Sequence, residues 1–194
     1  MDQMAVLQQI TQYINQLFHG DASGHDAVHM KRVAKWARRL ALDEGEDPFL
    51  CEVAAWLHDV GDYKLFRDPA KVIEERNQWL FKLGFSTKEK DIIHDAIATV
   101  SFSKGSLPSS RIGAIVQDAD RLDAIGAVGI ARAFAFGGAN NQPIYNEDGL
   151  GSIDHFHEKL LRLKKQMNTE SGRIEAEKRH QFMLHFLEEF HREQ

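Results

Sequence analysis

Apolar residues recur every three or four positions along most of the chain, and no stretch shows the two-residue alternation of a half-buried strand. Val6, Ile10, Ile14 and Leu17 trace a first helix ending near His19-Gly20. A second runs from His25 to Glu44, with Val33, Trp36, Ala37 and Leu40 as its apolar stripe and Gly45 as its stop. Asp47-Pro48 supplies an N-cap and a first helical residue for a helix that ends at His58. Asp68-Pro69 repeats that signal for a helix through Val72, Ile73, Trp79 and Leu80, closed by Gly84. Ser86 and Glu89 form a capping box at the head of another, from Lys88 to about Val100. The Ser-, Gly- and Pro-containing stretch from Ser101 to Ser110 is a loop. Arg111 to Phe136 is apolar and alanine-rich, with Gly113, Gly126 and Gly129 permitting close packing or a break. Gly137 to Gly151 is the longest loop, read as a flap that orders over substrate. Two closing helices follow, Ile153 to about Met167 and Arg173 to the C-terminus, the latter striped by Met183, Phe186, Leu187 and Phe190. The expectation is one all-α domain over residues 1–194, a bundle of about eight or nine helices with a motif core near 20–126 and closing helices near 152–194.

Composition narrows the class. With 194 residues and 43% hydrophobic content, the chain can bury one sizeable core. A net charge of −5 argues against a nucleic-acid surface as its main business. The cations Lys31, Arg32, Lys35, Arg38 and Arg39 read accordingly as a solvated helix face. A small anionic substrate needs only local positive charge and stays open. Cys51 is the single cysteine, so no internal disulfide forms, and its apolar setting reads as a buried thiol in a reducing compartment. Met1-Asp2-Gln3-Met4 has neither a basic nor an apolar leader region, and no apolar run reaches membrane-span length. A soluble cytoplasmic protein with no membrane partner is expected, with homo-oligomerisation left open.

Three places carry chemistry. Val53-Ala54-Ala55-Trp56-Leu57-His58-Asp59-Val60-Gly61-Asp62 begins as an apolar helix and ends in an imidazole beside two carboxylates. Helical neighbours stand about 100° apart, so His58 and Asp59 converge on one ion only where the backbone turns, which Gly61 permits. His25 and His29 stand four apart on one helical face, a spacing that suits a metal and equally a solvated surface. Asp118, Asp120 and Asp123 punctuate the otherwise apolar stretch from Ala114 to Ile125, with Asp120 and Asp123 on a shared face.

Taken together, His29, His58-Asp59 and Asp120 resemble the H…HD…D signature of the HD superfamily of metal-dependent phosphohydrolases. Gly24-His25-Asp26-x-x-His29-x-x-Arg32-Val33, Leu57-His58-Asp59-x-x-Asp62, Ser101-Phe102-Ser103 and Asp118 through Gly126 extend the likeness to a bacterial subgroup of stand-alone HD hydrolases. Gly129-Ile130-Ala131-Arg132-Ala133-Phe134 and His155-Phe156-x-x-Lys159-Leu160-Leu161 carry it across roughly residues 20–190. The resemblance implies that His29, His58, Asp59 and Asp120 bind one divalent cation, most often Mn²⁺, with Fe²⁺, Co²⁺, Ni²⁺ or Mg²⁺ as alternatives. It implies that Asp62 positions or deprotonates the attacking water, where ppGpp hydrolase domains usually carry Glu. Arg32, Lys64, Arg121, Asp123, Lys159 and Arg179 are the candidates for contact with a small phosphorylated substrate. Of the histidines that a dinuclear site would add, only His94 lies between the HD pair and Asp120, and it reads as a surface residue. The nearest subgroup implies a nucleoside triphosphate pyrophosphohydrolase. A 5′-nucleotidase-type phosphomonoesterase and a non-catalytic nucleotide- or metal-binding sensor are the alternatives.

Overall fold

The computed structural model describes residues 1–19, 26–100, 107–146, 149 and 151–194. Among them the chain is all-α, without strands. The elements are α1 (Gln3–Leu17), α2 (Ala27–Glu44), α3 (Pro48–Trp56), α4 (Pro69–Lys82), α5 (Thr87–Ala98), α6 (Arg111–Asp123), α7 (Gly126–Ala139), α8 (Ser152–Glu158), a 3-10 helix (Leu160–Gln166) and α9 (Glu170–Glu193). No single helix among the described residues is long and apolar enough to cross a membrane; only the broken pair α6 and α7, taken together, reaches that apolar length.

Side-chain caps set most of the helix starts. Asp26, Asp47 and Asp68 each accept a backbone N–H from the first turn of α2, α3 and α4, contacts worth about 1 kcal/mol apiece. Ser86 and Glu89 cap α5 reciprocally, as the sequence predicts. Gly45 ends α2 in the left-handed region at φ 72°.

Four boundaries differ from expectation. Helix α3 stops at Trp56, because Leu57 leaves helical geometry at φ −104° and ψ 3°. His58 and Asp59 therefore sit in the turn beyond the helix. Helix α7 runs three residues into the expected loop, since Gly137 packs on Ser152 so closely that a Cβ would lie 2.1 Å from its Oγ. The described remainder of that loop is tied by Ser152 N–H to Pro143 O (2.8 Å) and Ile153 N–H to Ile144 O (3.0 Å). The helix expected from Ile153 to Met167 breaks at Lys159 (φ −130°, ψ −59°), which separates α8 from the 3-10 helix. Helix α9 starts at Glu170 rather than Arg173 because Thr169 accepts from Gly172 N–H. His25, Ser101–Ser103 and three positions of the flap stretch (147, 148 and 150) lie outside the described residues.

The chain falls into two compact units, Met1–Ala119 and Asp120–Gln194, the division lying within α6. In the first, α3 is the central element and packs on α1, α2 and α5. Phe49, Leu50, Cys51, Val53, Ala54, Ala55 and Trp56 are all buried, so apart from Pro48 and Glu52 the helix is core on every side. Burial pushes the Cys51 thiol up to about 12, as befits a packing residue with no reactive thiolate. In the second unit α7 packs on α9, and Phe134, Phe156 and Phe186 meet with ring centroids 5.8 to 5.9 Å apart.

Candidate metal centre

His29 is the third residue of α2, and its backbone N–H donates to the Asp26 carboxylate at 2.7 Å. The cap thus fixes where the helix begins and so which way His29 faces; its side chain is buried, at 1% exposure. His58 and Asp59 follow the end of α3 and are buried as well. His58 Nδ1 lies 2.7 Å from Ala55 O. A carbonyl oxygen can only accept, so Nδ1 carries a proton and Nε2 is the nitrogen left to face a metal, the orientation of a metal-ligating histidine.

Asp59 reaches toward both imidazoles. Its Oδ1 is 3.4 Å from His58 Nε2 and its Oδ2 is 3.9 Å from His29 Nε2. The two rings meet edge to face at 5.2 Å and 72°, and one nitrogen of each lies within 4.8 Å of the other. Ligands held about 2.1 Å from one ion stand roughly 3–4 Å from each other. The spacings around Asp59, one from each carboxylate oxygen, fall in that range, and the 3.9 Å one is longer than a hydrogen bond. Two buried imidazoles with a carboxylate between them also form a donor set that suits first-row divalent ions. The residues fit a metal.

The turn that presents His58 and Asp59 is held by its own backbone and by one side chain from outside. Val60 N–H donates to Leu57 O (3.0 Å) and Asp62 N–H to Asp59 O (3.1 Å). Val60 O accepts from Arg76 Nη1 of α4 at 3.1 Å. Gly61 sits at φ 93°, and a Cβ there would lie 2.6 Å from Ile73 Cγ1. Both the left-handed backbone and the contact oppose a side chain. Gly61→Ala should therefore cost at least about 1 kcal/mol of stability in denaturant titration. An unchanged midpoint and slope would show that the turn can move aside.

The other expected site residues divide by location. Asp62 is partly exposed, and its Oδ1 accepts Lys64 N–H at 2.8 Å, so one carboxylate oxygen closes an Asx turn. Lys64 is exposed, with its ammonium 5.6 Å from the centre of the Tyr63 ring. Arg32 is partly exposed on α2, one turn past His29. Asp118, fully buried, and Gln117, whose Nε2 donates to Thr99 O at 2.7 Å, close the first unit's share of α6. Asp120 is the first residue of the second unit and partly exposed. Within that unit Arg121 Nη1 donates to Gln166 O, and Arg179 Nη1 donates to Leu122 O at 2.5 Å. Asp123 is buried and accepts from Arg132 Nη1 at 2.5 Å. Lys159 marks the break after α8. His94 is exposed, as expected, but its Nδ1 accepts from Arg76 Nη2 at 3.2 Å.

The HD domain family model matches residues 27–125. The chain belongs to the HD family. It is 40% identical to the Bacillus subtilis (strain 168) protein YpgQ over 197 aligned residues, covering 100% of this chain and 96% of YpgQ. A crystal structure of B. subtilis YpgQ in complex with ADP matches at a TM-score of 0.82 and 39% identity, covering 96% of each chain. The crystal structure of an HD-superfamily hydrolase from Bacillus thuringiensis matches at 0.84 and 39%, covering 98% of this chain and 97% of that one. These relatives support a hydrolase, and the HD family binds divalent metals.

Arg76 is the residue around this site that sequence reasoning missed. A signal existed: Val72, Arg76 and Leu80 recur at four-residue spacing, which puts the arginine on the apolar face of α4.

Proposed function

We propose that this chain is a divalent-metal-dependent phosphohydrolase acting on a nucleotide, and that it releases a monophosphate and pyrophosphate from a nucleoside triphosphate. The observation that carries the reading is Asp59 between two buried imidazoles, with the proton of His58 held on Nδ1 by Ala55 O. His29, His58 and Asp59 would hold the ion, joined by Asp120. Asp120 enters the set on the H…HD…D order that this chain repeats. Mn²⁺ is the ion we assign. It would supply charge stabilisation at a phosphoryl oxygen and acidify water near neutral pH. Asp62 is assigned to orient that water and take up its proton, and Arg32 and Lys64 to offer positive charge to the phosphates. The complex of YpgQ with ADP supports a nucleotide ligand for the family member at hand.

Nucleotide binding alone is also what a non-catalytic sensor would show, so turnover has to be measured. Nucleoside mono-, di- and triphosphates should be tested against Mn²⁺, Mg²⁺, Co²⁺ and Ni²⁺, with phosphate and pyrophosphate assayed separately. Pyrophosphate from triphosphates with Mn²⁺ is the expected result. Orthophosphate from monophosphates alone would make it a phosphomonoesterase, and saturable binding without product would make it a sensor.

A further inference from the structure

Arg76 is an unusual residue to find inside the first unit. Its side chain is buried, with the residue at 2% exposure, on a helix whose only other buried residue is Leu80. Among the described residues no carboxylate pairs with it. Its partners are the neutral acceptors Val60 O at 3.1 Å and His94 Nδ1 at 3.2 Å, while its buried Nε has none. Burial pulls its pKa down to about 10, which leaves it charged at neutral pH. A buried cation without an anion costs several kcal/mol, and an apolar side chain of similar volume commonly packs as well or better. Folding alone gives little reason to keep it.

What Arg76 grips supplies a reason. The dipeptide His58-Asp59 lies outside regular helix, in the turn after α3. On its N-terminal side the His58 ring is fixed to Ala55 O at 2.7 Å. On its C-terminal side Val60 O is fixed to the Arg76 guanidinium, which Nη2 steadies in turn against His94. The two ligand-type residues are thus clamped from both ends, one end by a side chain that crosses from another helix. A site of this kind loses function when its donors drift by about 0.5 Å, so the groups behind them matter nearly as much as the donors.

We propose that Arg76 is a positioning residue for the metal centre, acting through the Val60 carbonyl to hold His58 and Asp59 in ligating geometry. This rests on the metal-centre reading above. The test is Arg76→Met, which removes the donors without leaving a charge buried, with Arg76→Lys as the conservative partner. Mn²⁺ affinity and the visible spectrum of bound Co²⁺ are to be measured beside thermal stability. We expect Arg76→Met to remain folded, to bind Mn²⁺ at least about tenfold more weakly and to show an altered cobalt spectrum. Arg76→Lys, still able to reach Val60 O, should recover part of that affinity. An Arg76→Met protein with wild-type Mn²⁺ affinity and an unchanged cobalt spectrum overturns the proposal. Should Arg76→Met not fold, Arg76→Gln decides, because it shortens the reach to Val60 O and removes the charge while keeping a polar side chain in the same place. A several-fold loss of Mn²⁺ affinity supports the clamp, and an unchanged affinity overturns it. A wild-type protein that takes up neither ion defeats the metal-centre reading itself, a result separate from any variant.

Discussion

His58→Ala should give a folded protein that purifies without a divalent ion and turns over nucleotide about 10³-fold more slowly. The magnitude follows from the several kcal/mol that a metal supplies to a developing phosphoryl charge, at about 1.4 kcal/mol for each factor of ten in rate. The structural cost is smaller. The variant forfeits one bond to Ala55 O, worth about 1 kcal/mol. Stability offers a second readout. An ion that binds only the folded state raises stability by about 2.7 kcal/mol at a hundred times its dissociation constant. Added Mn²⁺ should therefore raise the melting temperature of the wild type and leave that of His58→Ala where it was. Asp59→Asn should behave in the same way, since it keeps the side-chain shape while removing the charge that faces both imidazoles. Equal metal content in wild type and His58→Ala by elemental analysis would end this assignment.

The all-α class and most helix starts were legible because each rests on short-range chemistry. A carboxylate or hydroxyl that accepts first-turn N–H groups is a local event, so Asp47-Pro48, Asp68-Pro69 and the Ser86–Glu89 box could be read from adjacent residues. Helix ends were less legible. The stop of α3 at Trp56 depends on where the chain goes next, and the break at Lys159 on how the flanking segments pack. The candidate site was legible in its types and order of residues, because an imidazole and carboxylates at the end of an apolar helix stand out. What binds beside them was not. Arg132, the partner of Asp123, lies nine residues further on in the next helix, and Arg76 meets His94 from eighteen residues away. Arg121 and Arg179 read as substrate candidates for their charge, yet each also ties a backbone carbonyl within the second unit. A local reading sees that a cation is present and misses which carbonyl it holds.

Asp62→Asn should lose at least about 10²-fold in kcat while keeping metal, substrate affinity and melting temperature. Removing one positioned general base typically costs about 10²–10⁴-fold. The geometry makes this substitution unusually clean. Asp62 Oδ1 accepts Lys64 N–H, and an asparagine carbonyl oxygen accepts that same bond. The turn is therefore kept and only the basicity is removed. Asp62→Ala removes both, so it should match Asp62→Asn in rate but lose about 1 kcal/mol more stability. Agreement in rate with a difference in stability separates the two jobs of this carboxylate. The rival base is Asp123, whose carboxylate already faces Arg132 at 2.5 Å and is largely buried. Neutralising Asp123 breaks a mostly buried ion pair, so Asp123→Asn should cost about 3 kcal/mol of stability. Its kcat on the protein that remains folded should stay near wild type. If Asp62→Asn keeps more than about a tenth of wild-type turnover, and Asp123→Asn loses turnover with its metal retained, the proton goes to Asp123.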